Sequence, residues 1–219
     1  MLSRLFDSGQ INQRAQAKRE ARDQRRQELL HLLRTKYLKH LPDRSTADSI
    51  AQSTATELIN GFRTKRFTHA QVTLVMCLRA LKAGLVINCV TEEFYDEAME
   101  RAIAMDENSE VSEEELLLKG IPISLKDQID QRGADSSMGL AMRNFRPSLQ
   151  DSLVLELLKE QGAIGGYART TTIMAMMMPD CESLTYGQTY NPFNLTRTPG
   201  GSSGERRLRI VLIFLVFCI

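Results

Sequence analysis

The sequence predicts an α/β fold, a mixed β-sheet covered by helices, preceded by a helical N-terminal region. Three observations predict it. Apolar residues recur at helical spacing between capping residues through most of 45–106. An apolar run at 121–125, a helical pattern at 151–162 and a second run from Ala163 follow in strand–helix–strand order, the repeating unit of an α/β layer. Residues 10–41 are polar and helical in pattern, with a sparse apolar stripe of Ile11, Leu29, Leu30, Leu33 and Tyr37.

The first element is that polar helix. Arg14, Lys18, Arg22, Arg25 and Arg26 interleave with Glu20, Asp23 and Glu28. Such a helix either offers a basic face to acidic lipid or nucleic acid or lies solvated across the body, as mixed-sign pairs at helical spacing usually do. Pro42 ends it, and Ser45 with Asp48 forms the expected cap of a helix over Ala47–Ile59 that closes at Gly61. Thr68 and Gln71 form the next capping box, with Gly84 as the expected stop. Leu85–Thr91 is read as a strand, and Thr91, Glu92 and Glu93 as the acidic start of a helix to about Asp106.

An acidic loop follows at Asn108–Glu115. Ile121–Leu125 is a short strand bounded by turn formers, and Gly133 and Gly139 punctuate the loop after it. Asp151 is the expected cap of a helix ending at Gly162, and residues 179–204 read as ordered loop. The expected organisation is an N-terminal polar helical region at 1–44, a main domain at 45–205 and an aberrant apolar tail at 206–219.

Composition bounds the function classes. The chain has 219 residues, 42% hydrophobic and 25% charged, enough for a sizeable core. A net charge of +1 gives the molecule no field that selects nucleic acid. The tail at 210–219 is apolar throughout, but shorter than the roughly 20 residues of a membrane-crossing helix. Cys77, Cys89, Cys181 and Cys218 have no CxxC or Cys/His metal spacing, so no metal or cofactor is expected. With no secretory signal in view, the expected setting is the reducing cytoplasm, with peripheral contact on intracellular membranes as its variant.

The chemistry rests on two segments. His31, His40 and His69 all lie in the N-terminal third, away from the Gly/Ser-rich part of the chain, so a Ser-His-Asp triad is a poor fit. A serine acting here needs another base, and a lysine serves when its surroundings lower its proton affinity. Lys126 is the candidate, placed at the C-terminal end of an apolar strand, where sites form in α/β sheets. Its alternative is a surface lysine. The second segment is Thr198-Pro199-Gly200-Gly201-Ser202-Ser203-Gly204, whose glycines and tandem hydroxyls suit an anion or a tetrahedral intermediate. Its alternative is a flexible linker, against which Pro199 and Asn191-Pro192-Phe193 argue. Met174, Met176, Met177 and Met178 are dense, and either fill a core or line a pocket for an apolar acyl chain.

Gly120-Ile121-Pro122-Ile123-Ser124-Leu125-Lys126-Asp127, Asp135-Ser136-Ser137-Met138-Gly139, Asp151-Ser152-Leu153-Val154 and Gly187-Gln188-Thr189-Tyr190-Asn191-Pro192-Phe193 precede the tandem-serine loop in that order. Together they resemble the amidase-signature serine hydrolases, most closely the fatty acid amide hydrolase-like eukaryotic branch, over roughly residues 45–205. The resemblance implies hydrolysis of a carboxamide through an acyl-enzyme by a Ser-cisSer-Lys triad. Lys126 matches the base and Ser202 the bridging serine. Met176 matches a residue whose backbone lines the carbonyl site, and Ser203 a supporting hydroxyl. It implies a small-molecule amide substrate and no cofactor, and it admits a homo-oligomer.

The family's nucleophile and oxyanion hole belong to a later Gly-Gly-Ser segment. Residues 205–219 contain no serine, so the expectation is a chain cut before its nucleophile and inactive alone. It should expose an unpaired sheet edge and an apolar face. The rival expectations are a non-catalytic interaction or lipid-associating fragment, and a defective gene product.

Overall fold

In the computed structural model the described residues are 8–108, 116–177 and 179–200. The acidic loop expected up to Glu115 therefore falls mostly outside them, as do Met178, the tandem serines and the apolar tail.

Helix α1 spans Ser8–Thr35 and lies across the body. Its inward stripe is only partly apolar. Ala15, Leu29 and Leu33 are buried, and so is Arg26. Lys18 and Arg22 occupy the positions between them and are largely covered. The cations read as a solvated face are thus turned inward and paired. Lys18 bridges Glu92 and Asp135 at 2.6 and 2.8 Å. Arg26 donates from Nε to Glu93 at 2.6 Å and from Nη2 to the Val90 carbonyl at 2.8 Å. Arg22 donates to the Asn88 side-chain oxygen, and Arg14 Nε to the Asn144 carbonyl at 2.9 Å.

The segment read as one helix over 45–61 is two, α2 (Arg44–Gln52) and α3 (Ala55–Arg63). The cap of α2 is Asp43, which accepts from the Thr46 amide and hydroxyl, not Ser45. The chain breaks at Ser53 because Thr54 and Glu57 form a complete capping box that starts a new helix. Helix α4 (His69–Ile87) begins at the expected Thr68–Gln71 box. It passes Gly84 and stops at Asn88, a left-handed residue. Gly84 is instead a packing position: a Cβ there would sit 3.3 Å from Val90 Cβ and 3.1 Å from Arg26 Nη2. Helix α4 is long and apolar enough to cross a membrane, but most of it is the buried centre of this fold.

The strand expected at Leu85–Thr91 is displaced to β1 (Val90–Glu93), and Glu92 and Glu93 belong to it, not to the next helix. Helix α5 spans Tyr95–Glu107 and packs on α4. Strand β2 is Pro122–Lys126, α6 is Leu153–Glu160 and β3 is Gly165–Thr170. The cap of α6 is Ser152, while Asp151 instead accepts from the Arg132 amide and pairs with Lys159. The sheet order is β1-β3-β2, with β3 antiparallel to β1 and parallel to β2. Every residue of β2 and β3 is buried, as in strands covered on both faces. Among the described residues β2 pairs only with β3. A short hairpin, β4 (Glu182–Ser183) with β5 (Gly187–Gln188), precedes the last loop.

The fold class read from the sequence is the one observed, an α/β body with a helical N-terminal region. Apolar residues remain on its outside, Leu153 and Leu157 on α6 among them at 69% and 50% exposure.

Two predictions follow from the ion pairs and caps. The Arg26–Glu93 pair has side chains 5% and 1% exposed. Arg26→Met should strand the Glu93 carboxylate and lower unfolding free energy by about 3–5 kcal/mol, read from urea titrations. The double change Arg26→Met/Glu93→Leu should recover much of that loss. Asp106 caps α4 through the His69 and Ala70 amides at 2.8 and 2.9 Å and pairs with the His69 ring. Burial pushes its carboxyl up, but the His69 side chain and these amides prevail and hold it below the ordinary range. Its contribution is therefore present above the unfolded-state pKa of about 4 and lost as pH falls below that through the lowered folded-state value. Asp106→Asn should flatten that acid limb in stability-against-pH curves.

Candidate active site

Lys126 closes β2 opposite Thr170, the last residue of β3. It is 5% exposed, so the reading of a surface lysine is set aside. Both strands of this parallel pair end together, and the carboxyl ends of parallel strands are where α/β sites form. Asp127, the next residue, is fully buried, and its amide donates to the Thr170 carbonyl at 3.0 Å.

The Asp127 carboxylate organises the loop that follows. Oδ2 accepts from the Ser137 hydroxyl at 2.8 Å and from the Gly139 amide at 3.4 Å. Gly139 has φ +70°, and a Cβ there would press within 3.1 Å of the Met174 backbone and of Ser183. From this loop the Met138 carbonyl accepts the Ala175 amide at 2.9 Å. Asp127 is thereby linked to the turn Met174–Met176, where Met176 supplies backbone. Six non-glycine residues have positive φ among the described residues, and Ser136, Met138, Phe145 and Ala175 of these two segments are four of them. Strain held this densely marks a segment whose shape the surroundings dictate.

Arg169 on β3 supports the same loop from beneath. It is fully buried. Its Nη2 donates to the Asp127 carbonyl at 2.6 Å and to the Ser136 hydroxyl at 3.2 Å. Its Nε lies 3.9 Å from Glu92 Oε2. Glu92 also accepts from the Asp135 amide at 3.0 Å, and Asp135 accepts from the Phe145 amide at 2.7 Å. Burial raises Glu92 above the ordinary carboxylate range, against the pull of Lys18 and Arg169. Burial alone would lower Lys18, but Glu92 and Asp135 outweigh it and raise its proton affinity, so Lys18 stays charged. A chain of paired charges thus runs from α1 to the loop behind Lys126.

The structure brings Lys126 and the Met176 backbone into segments tied by this network. Ser202 and Ser203 lie outside the described residues. The approach to them is described as far as Gly200. Asn191, Asn194 and Arg197 close a turn on one another by backbone bonds, and Thr198 donates to Asp180 at 2.6 Å. Up to Gly200 the segment is built, as Pro192 and Pro199 suggested. Met174 and Met177 are 40% and 85% exposed, so these two do not fill the core. Asp127, Glu92, Asp135 and Arg169 were missed by sequence reading. The available signal was an arginine in a short stretch, Gly165–Thr170, that carries no other charge.

A family model described as amidase matches residues 71–204. The chain belongs to the amidase family. Lys126, Met176, Ser202 and Ser203 all fall within the matched span. Among relatives, a probable amidase of Saccharomyces cerevisiae is 37% identical over 162 residues, which are 73% of this chain and 29% of that protein. The vitamin D3 hydroxylase-associated protein of Gallus gallus is 32% identical over 89% of this chain and 40% of its own length. Among solved structures, a fatty acid amide hydrolase superposes with a TM-score of 0.70 at 29% identity, over 76% of this chain and 29% of that one. The chain therefore spans well under half the length of these relatives, and the matched stretch is the N-terminal portion of the amidase domain.

Ser137→Ala removes one of the two donors on Asp127 Oδ2. Stability should fall by about 1–3 kcal/mol, the cost of an unsatisfied buried acceptor. Hydrogen exchange at the Gly139 amide should quicken by more than global destabilisation accounts for, measured by NMR against an equally destabilised core variant.

Proposed function

We propose that this chain carries the lysine side of a carboxamide-hydrolysing site that works through a serine acyl-enzyme. The observation that carries the reading is Lys126, buried at the C-terminal end of β2 inside the stretch that matches the amidase family. In this reading Lys126 takes a proton from Ser202, and Ser202 takes one from the attacking serine, leaving that oxygen free to add to the amide carbon. The proton then returns along the same path to the leaving amine. The Met176 backbone borders the carbonyl site, and Ser203 supports the bridging serine.

The substrate class is an amide with an apolar acyl part. Met174 and Met177 support it, as exposed, flexible side chains beside the strained loop. So does the likeness to a structure named fatty acid amide hydrolase. No serine follows Ser203 in this sequence, and the proposal includes that the 219 residues alone do not turn amides over. A fluorophosphonate probe that labels one of its serines would refute that part.

The catalytic reading is tested by exchange. Residues 71–204 replace the matched stretch of the Saccharomyces cerevisiae relative, and hydrolysis of oleamide and of acetamide is measured. The expected chimera is active. Lys126→Ala should lower its kcat by at least about 100-fold, the range for loss of a general base. Lys126→Arg should not restore it, because a guanidinium does not release its proton. A folded but inactive chimera, or full activity in Lys126→Ala, overturns the assignment.

A further inference from the structure

The C-terminal half of α4 turns one face to a cavity of about 260 Å³. Arg79, Lys82, Ala83, Val86 and Ile87 line it, at the three- and four-residue spacing that puts side chains on one side of a helix. Pro192 and Leu195, from the loop after β5, line the rest. The lining therefore has two parts. The cations come first along the helix, and Val86 and Ile87 follow about one turn after Lys82. Both walls are held in place by the chain itself. The Tyr190 amide donates to the Ile87 carbonyl at 2.9 Å, and backbone bonds among Asn191, Asn194 and Arg197 close the turn that carries Pro192 and Leu195.

The charge at this cavity has one sign. None of the described residues that line it is acidic. Burial lowers the proton affinity of Arg79, against the pull of Tyr167 and of Asp48 on α2, neither of which lines the cavity. Lys82 is exposed. A partly buried guanidinium beside an ammonium, with aliphatic side chains beyond them, is complementary to an anion that carries an apolar chain. A carboxylate meets the guanidinium fork with two parallel hydrogen bonds.

We propose that the cavity binds an aliphatic carboxylate, with its head at Arg79 and Lys82 and its chain along Val86, Ile87, Pro192 and Leu195. Size limits the ligand. The volume falls below the roughly 300–1,000 Å³ of sites for drug-sized molecules, which suits one short chain bound as a soluble monomer rather than a bilayer lipid. The inference does not use the catalytic roles given to Lys126 and Ser202, so the two fail separately.

The test is calorimetric titration of the 219-residue chain with octanoate below its micelle concentration. Octanol, octylammonium, acetate and anionic phospholipid vesicles are the comparisons. The expected result is one-to-one binding of octanoate, at least about ten-fold tighter than octanol, with no binding of octylammonium or acetate. Lys82→Glu reverses an exposed charge at the head, and Leu195→Asp puts a charge on the chain's wall. Each should weaken octanoate at least about ten-fold, with the urea midpoint unchanged. Lys126→Ala should leave octanoate binding as it was, which separates this cavity from the candidate active site. Octanol that binds as tightly as octanoate overturns the proposal, and so does a chain that binds vesicles but no octanoate monomer. Octanoate binding that survives both cavity variants, or that is lost in Lys126→Ala, overturns it as well.

Discussion

Carboxylates held inside the body are the constraint around which this structure is arranged. An ionised carboxylate loses several kcal/mol of hydration on burial, and only a close cation or several donors offset it. Glu93 meets Arg26, Glu92 meets Lys18 and lies near Arg169, and Asp135 meets Lys18. Asp127 takes the Ser137 and Thr91 hydroxyls and the Gly139 amide on its carboxylate. Two of these cations come from α1, which is why a helix with so little apolar surface lies where it does. Its position is set by charges that the sheet cannot leave unpaired.

The same constraint accounts for the strained loop. Ser136 gives its hydroxyl to the Ile129 carbonyl and also meets Arg169, while Ser137 turns to Asp127. Consecutive side chains that serve partners on opposite sides force the backbone through left-handed conformations at Ser136 and Met138, which L-residues adopt only under compulsion. The strain is local, but its effect reaches the Met174–Met176 turn through the Met138 carbonyl. Segments far apart in sequence thereby share one arrangement at the end of the β2–β3 pair.

What was legible in the sequence was local. The Thr68–Gln71 box could be read because both partners lie within one turn. Lys126 could be placed at a strand end because an apolar run bounded by turn formers has few other readings. The errors have a common cause in distant partners. Gly84 looked like a helix stop, but it is small because Val90 and Arg26 pack against it from another element. Leu85 and Val86 looked like a strand because they are apolar, yet they are exposed on a helix. The α1 cations looked solvated because their acids lie more than sixty residues away. Arg169 stood out inside a strand, but its partners Glu92, Asp127 and Ser136 lie more than thirty residues away.

The exposed apolar residues complete the argument about what kind of object this chain is. Strand β2 has the fully buried pattern of an interior strand, yet pairs with one neighbour among the described residues. Leu153 and Leu157 stand out from α6, Val86 from α4 and Leu195 from the last loop. A free-standing domain of this size would place such residues inside or replace them with polar ones. The sheet's carboxylates are by contrast met within the chain, Glu93 by Arg26 and Glu92 by Lys18, and the helices begin at formed caps. The part of the amidase family fold that holds Lys126 therefore meets its buried carboxylates from within and turns apolar side chains outward.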